Sequence, residues 1–202
     1  MSDILKLDPA GGDPRALELE DAIDDAAGIK IEDQDTIHSI RLPAGWLEDL
    51  SSRSRQRGNS RMRLFTSPDH ETHIYYWDAA VLISKESYIA FCEVTANGAH
   101  LLKSEEIPKL SQTFRQLFVL TANLHDDLVL LSAKTKALNG KRVLVLQSKV
   151  KGTDSEILSF YWDAAKSAGD ARIQMIAFQG SGKSFSHNLS AAQKCFYSIE
   201  WR

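Results

Sequence analysis

Asn139-Gly140 lies between two apolar runs, Leu128-Val129-Leu130-Leu131-Ser132-Ala133-Lys134-Thr135 and Val143-Leu144-Val145-Leu146-Gln147-Ser148. A two-residue hairpin turn that matches strand twist needs positive φ at both central positions, and Asn-Gly supplies it at least cost. The pair therefore commits this half of the chain to an antiparallel hairpin. Glu156-Ile157-Leu158-Ser159-Phe160-Tyr161-Trp162 reads as the next strand, Ser167-Ala168-Gly169-Asp170 as a turn, and Arg172-Ile173-Gln174-Met175-Ile176-Ala177-Phe178 as the return strand.

The first half of the chain adds strands of the same kind. Ile37–Leu42 alternates with period two and stops at Pro43-Ala44-Gly45-Trp46. Arg63–Thr66 and Thr72–Trp77 flank the turn cluster Ser67-Pro68-Asp69-His70, and Ser87–Val94, closed by Asn97-Gly98, reads as a further strand. Two helices interrupt the strands. One is expected over 105–122, with Leu110, Phe114, Leu117, Phe118 and Thr121 recurring at helical spacing. The other closes the chain, with Ser190 as its cap and Leu189, Ala192, Phe196 and Ile199 on one face. An antiparallel meander flanked by helices is α+β, not a βαβ nucleotide-binding fold.

Charge divides the chain unevenly. Residues 1–35 hold eleven acids and three bases, a net −8, so the remainder carries +5 within an overall −3. This acidic extension has no aromatic residue and little to bury. Asp13-Pro14 can start a helix with Leu17, Ala22 and Ile23 as a thin apolar stripe and Gly28 at its end. It is either a docking arm, an intramolecular mask for a basic surface, or a solvated leader. One α+β domain is expected over 36–202.

The basic counterpart is Ser51–Arg63, which carries Arg53, Arg55, Arg57, Arg61 and Arg63 and no acid. It reads as a loop suited to bidentate contact with phosphate. No aromatic side chain is interleaved to stack on bases, so nucleic acid is not favoured. Lys183 in Gly180-Ser181-Gly182-Lys183-Ser184 is a further candidate for anion contact. That run resembles the end of a phosphate-binding loop, but Ala177 stands where the pattern needs its first glycine. It is expected to be a turn between the last strand and the last helix.

Chemistry is otherwise sparsely marked. No cofactor, metal-ligand set or catalytic group is assigned. His70 and His73, three apart, would not share a strand face, and Cys92 and Cys195 lie in apolar contexts that suit inert, buried thiols. Met1–Lys6 lacks the pattern of a secretory signal, and no apolar run reaches the roughly 20 residues that span a bilayer. A cytoplasmic location is the expectation. Tyr76-Trp77-Asp78-Ala79-Ala80 recurs as Tyr161-Trp162-Asp163-Ala164-Ala165, each ahead of an Ile-Ala-Phe. The echo is either turn chemistry used twice or a duplicated hairpin with a matched aromatic surface.

Leu138–Val145, Ile173–Phe178, the tail residues Phe185, Asn188, Leu189, Ala192, Phe196 and Ser198–Trp201, and Leu42–Trp46 together resemble one known superfamily. It is the PsbP-like and DcrB-like fold, shared with a Ran-binding nuclear-import factor, and the resemblance spans about residues 40–202. It implies an α/β/α sandwich and a mostly non-catalytic role in binding, adaptor work or assembly. Three functions stay open. The first is a protein-binding module of adaptor or secretion-chaperone kind, a homodimer included, using sheet aromatics Tyr75, Trp77, Tyr161 and Trp162, which are either core under helices or an interface. The second is an anion or nucleic-acid binder using Arg53–Arg63. The third is an enzyme with a site assembled from scattered residues, His73 or His187 beside a carboxylate among them.

Overall fold

The computed structural model describes residues 30–31, 36–50, 56–57, 60–77, 79–110, 113 and 128–202. Asn139 and Gly140 both adopt positive φ, 47° and 84°, and Leu138 pairs with Lys141 across them. The hairpin they close joins β9 (Leu128–Leu138) to β10 (Lys141–Val150). β11 (Ser155–Asp163) and β12 (Arg172–Ser181) continue the antiparallel meander.

β12 then pairs on its far side with two earlier strands, β6 (Thr72–Trp77) and β7 (Val81–Leu82). β6 pairs with β5 (Ser60–Thr66), and β5 with β3 (Leu47–Asp49) and β4 (Gln56–Arg57). At the opposite edge β8 (His100–Leu101) lies along β9. A separate three-stranded sheet joins β1 (Lys30–Ile31), β2 (Ile37–Arg41) and β13 (Glu200–Trp201), with β2 in the middle. The folded body therefore reaches upstream of residue 36. The rest of the acidic extension, with Leu17, Ala22 and Ile23, lies outside the described residues.

Residues 143–148, 157–162 and 173–178 are buried without interruption. Because strand side chains alternate between faces, an unbroken buried run means that both faces are covered. One face carries Val143, Val145, Leu158, Phe160, Trp162, Ile176 and Phe178. It packs under helix α3 (Gly182–Tyr197), through Phe185, Leu189, Ala192, Cys195 and Phe196, and under Ile31, Ile37 and Ile40 of the small sheet. The other carries Leu144, Leu146, Tyr161, Ile173, Met175 and Ala177, beneath α1 (Lys85–Ala96) and α2 (Glu106–Lys109). The result is the expected α+β sandwich with helices on both sides of an antiparallel sheet.

Two expectations change, and a third is described only in part. Ser87–Val94 is helical, within α1, rather than a strand. Its aromatic and β-branched residues suggest a strand, but burial falls on Ser87, Phe91, Val94 and Thr95, a helical spacing. Ser84 caps the helix, its Oγ accepting from the Ser87 N–H at 3.2 Å, and Gly98, at φ 86°, follows its end. Ile89 of the first Ile-Ala-Phe is consequently 46% exposed on a helix. The last helix begins at Gly182, eight residues before Ser190, and β12 runs straight into it with no turn between. Of the helix expected over 105–122, Glu106–Lys109 is described, and Phe114, Leu117, Phe118 and Thr121 lie outside the described residues.

The strand-to-helix passage needs a glycine. A Cβ on Gly180 would stand 2.5 Å from Thr72 Cγ2 and 3.2 Å from the Phe185 Cα, so α3 seats on β12 only because that position is bare. Gly180→Ala is expected to destabilise the protein by about 1–3 kcal/mol through overpacking. Denaturant unfolding checks this; an unchanged midpoint would show that α3 does not need the close approach.

Candidate functional site

The Leu42–Trp46 turn stands over α3 and leaves a groove between them. Trp46 anchors the turn: it is buried, its ring centroid 6.2 Å from that of Phe178, and its backbone N–H donates to Pro43 O at 3.3 Å. Gly45 turns at φ 80° against Pro68. The far wall is the last turn of α3, tied down by the β9–β10 hairpin. Asn139 Nδ2 donates to Tyr197 O at 2.9 Å and to Ile199 O at 2.7 Å. Ser198 Oγ donates to Cys195 O at 2.7 Å and accepts from Arg41 N–H at 2.8 Å.

The enclosed space is about 670 Å³ and is lined by Leu42, Pro43, Ala44, Trp46, Pro68, Ala191 and Tyr197 among its apolar contributors. This is within the usual range for binding clefts. Arg41 and Lys194 supply positive charge, His187 stands at one end, and Glu200 is the one carboxylate among the lining residues. The Ser39 hydroxyl, followed by the nearby cations Lys30, His38 and Arg41, holds the Glu200 carboxyl below its ordinary range. Cys195 also lines the groove, and burial pushes its thiol up, which suits an unreactive side chain. Cys92 is half-buried and shifted the same way by burial.

A second, more open hollow of about 780 Å³ lies at the start of α3. Its walls include Gly182, Lys183 and Ser184 of the phosphate-loop-like run, but also Asp69 and Glu71. Ser184 Oγ donates to Glu71, and Asn188 Nδ2 donates to Asp69 at 3.0 Å. The Ser67 hydroxyl and the Glu71 N–H stabilise the Asp69 carboxylate and lower its pKa to about 2. Carboxylates thus occupy the helix start where a phosphate would sit. His187 lines both hollows beside Asp69, but it is exposed, and His73 is half-buried in β6.

Of the two readings of the sheet aromatics, the structure favours core over interface. Trp77, Tyr161 and Trp162 are buried in this chain's own core, at 3%, 0% and 0% exposure, and Tyr75 is half-buried against Trp77. An interface through all four is therefore corrected: both sheet faces already carry helices. The echoed pairs flank β12, with Tyr76 opposite Ile176 and Trp162 opposite Gln174. Tyr76 and Trp162 enter one core, while Trp77 and Tyr161 enter the other, so the repeat makes no matched surface.

The arginines are scattered in role. Arg53 and Arg55 lie outside the described residues, and Arg57 and Arg61 belong to the β4–β5 hairpin. Arg63 donates through Nε and Nη2 to the Glu48 carboxylate, at 2.9 and 2.8 Å, and lies over the Phe65 ring. It holds β3 to β5. Lys183 is exposed on the first turn of α3. No group of three or more metal-ligating side chains occurs among the described residues.

Sequence reasoning passed over one polar node. His100 Nε2 donates to Glu106, 3.0 and 3.1 Å from its two oxygens, while Nδ1 lies 3.1 Å from Gly98 O and 2.9 Å from Thr135 Oγ1. The Lys103 N–H adds a bond to Glu106 at 2.8 Å. A ring with acceptors at both nitrogens favours the imidazolium. Thr135 Oγ1 in turn donates to Gly98 O, so the node fastens β8 to α2 and to β9.

No family model matches this chain, and no curated protein matches it either. A solved structure does. The solution structure of cyanobacterial PsbP (CyanoP) from Synechocystis sp. PCC 6803 superposes with a TM-score of 0.54 at 9% identity, over 92% of this chain and 99% of that one. The fold is PsbP-like. No described helix is long and apolar enough to cross a membrane.

The node carries a pH signature. Gly98 O and then the Glu106 carboxylate raise the His100 pKa above its ordinary 6.5. Its stabilising contribution is therefore complete below that value and lost as pH rises through the higher folded value. Glu106 is shifted down, so its share persists above the ordinary carboxylate range and disappears on acidification. His100→Gln is expected to abolish the alkaline loss of stability measured by thermal unfolding across pH 6 to 8, roughly the histidine window. The same slope in wild type and variant would remove His100 from this role.

Proposed function

We propose that this chain is a non-catalytic protein-binding module, of adaptor or secretion-chaperone type, that receives a peptide segment of its partner in the α3 groove. The observation that carries the reading is the groove itself. It combines apolar walls, two cations and one hydrogen-bonded carboxylate on a rigid strand-and-helix frame. Such walls accept aliphatic side chains, and the cations favour a segment rich in Asp and Glu. The two unpaired cysteines support a reducing, cytoplasmic setting. The PsbP-like fold supports a binding role only by analogy.

The test is selection of displayed random peptides on the full chain, followed by affinity measurement of those enriched. Enriched peptides should combine acidic with apolar residues. Ala191→Arg, which fills the groove from the helix side, should weaken them about tenfold or more, equivalent to about 1.4 kcal/mol. Ile89→Arg on α1 should leave them unchanged. Peptides indifferent to Ala191→Arg but lost with Ile89→Arg would move the site to the opposite face and overturn the reading.

A further inference from the structure

β1 runs antiparallel to β2, with Lys30 opposite Arg41 and Ile31 opposite Ile40. The upstream end of β1 therefore points past Arg41 toward Leu42 and Pro43. Those three residues line the α3 groove. The chain preceding Lys30 thus enters the described body at the rim of the groove, on its cationic side. That preceding segment, residues 1–29, carries eight acids against two bases.

Position and charge coincide at short range. Leu17-Glu18-Leu19-Glu20-Asp21-Ala22-Ile23-Asp24-Asp25 interleaves aliphatic residues with five carboxylates. Asp25 is five residues from Lys30, a reach of about 17 Å for extended chain. The whole run falls within reach of a groove that begins beside Arg41. A tethered segment meets such a site at an effective concentration on the order of millimolar, so weak intrinsic affinity suffices. The composition of the run also matches what the groove walls select: aliphatic side chains for Leu42, Pro43 and Ala191, carboxylates for Arg41 and Lys194.

We infer that residues 17–25 dock in the α3 groove of the same chain as an intramolecular competitor, so that a partner must displace an acidic, partly aliphatic segment to bind. This inference rests on the reading of the groove as a peptide site. It makes the protein self-masked, with access set by salt and by competition rather than by a change in the fold.

Zero-length carbodiimide cross-linking of the full chain at low protein concentration, mapped by mass spectrometry, tests it. A link is expected within single chains between Lys194 and one of Glu18, Glu20, Asp21, Asp24 or Asp25. The link should fall several-fold in high salt. In a full-length variant with those five acids changed to Gln or Asn, amine acetylation of Lys194 should be several-fold faster than in the native chain. Links from Lys194 to folded-body acids alone, with equal acetylation rates, would overturn the inference. So would leader links confined to cross-linked dimers, which would assign the occupant to a second copy. If selected peptides respond to Ala191→Arg but these links are missing, self-masking falls while the peptide site stands. If neither is seen, both fall.

Discussion

The structure turns on one buried amide. Gln174, fully buried in β12, donates through Nε2 to the Tyr76 hydroxyl at 3.2 Å and to Trp77 O at 2.9 Å. Its Oε1 accepts from the Thr36 hydroxyl, and that same Thr36 Oγ1 accepts from the Trp162 indole N–H at 2.7 Å. Both flanking strands of β12 and the residue that leads into β2 are thereby joined at one point. An amide left unpaired at that depth would cost on the order of 1–3 kcal/mol, so the arrangement resists slippage. A one-residue shift of β12 would also turn its side chains to the wrong faces.

That point controls the surface where binding is placed. Thr36 O accepts the Arg202 N–H at 3.0 Å, so the small sheet is pinned where β2 begins and where the chain ends. β2 ends at Arg41, and Leu42–Trp46 forms one wall of the groove. The other wall, at the end of α3, is held by Asn139 in the β9–β10 turn. A sequence signal for a hairpin is therefore also a buttress for the groove. Gly180 sets how closely the start of α3 approaches the sheet. Rigid elements on each side suit a surface that recognises an extended segment without closing over it.

Much of the fold was legible because its signals are local. Asn139-Gly140 needs only two adjacent residues to declare a turn, and the β9–β12 meander follows from alternating apolar runs. The superfamily resemblance followed from the same turns and runs. What stayed hidden depends on separation in sequence. α1 is built from Tyr88, Ile89, Phe91 and Val94, residues that favour strands in isolation, and only burial at helical spacing distinguishes it. Whether Trp77, Tyr161 and Trp162 are core or interface is decided only when α1 and α2 cover one face of the sheet and α3 the other. The groove was equally hidden: Arg41 and Lys194 are far apart in sequence, and their shared space exists only after α3 lies beside the Leu42–Trp46 turn. The His100–Glu106–Thr135 node likewise requires β8 to pair with β9.

The most direct measurement is an amide chemical-shift map of the full native chain against the full-length variant with the five leader acids neutralised. The predicted result is a contiguous set of changes at Arg41–Trp46 and His187–Ser198, diminishing as salt screens the contact, with the α1 and α2 amides unmoved. Changes centred on α1, or confined to the leader itself, would contradict a groove occupied by the chain's own acidic segment.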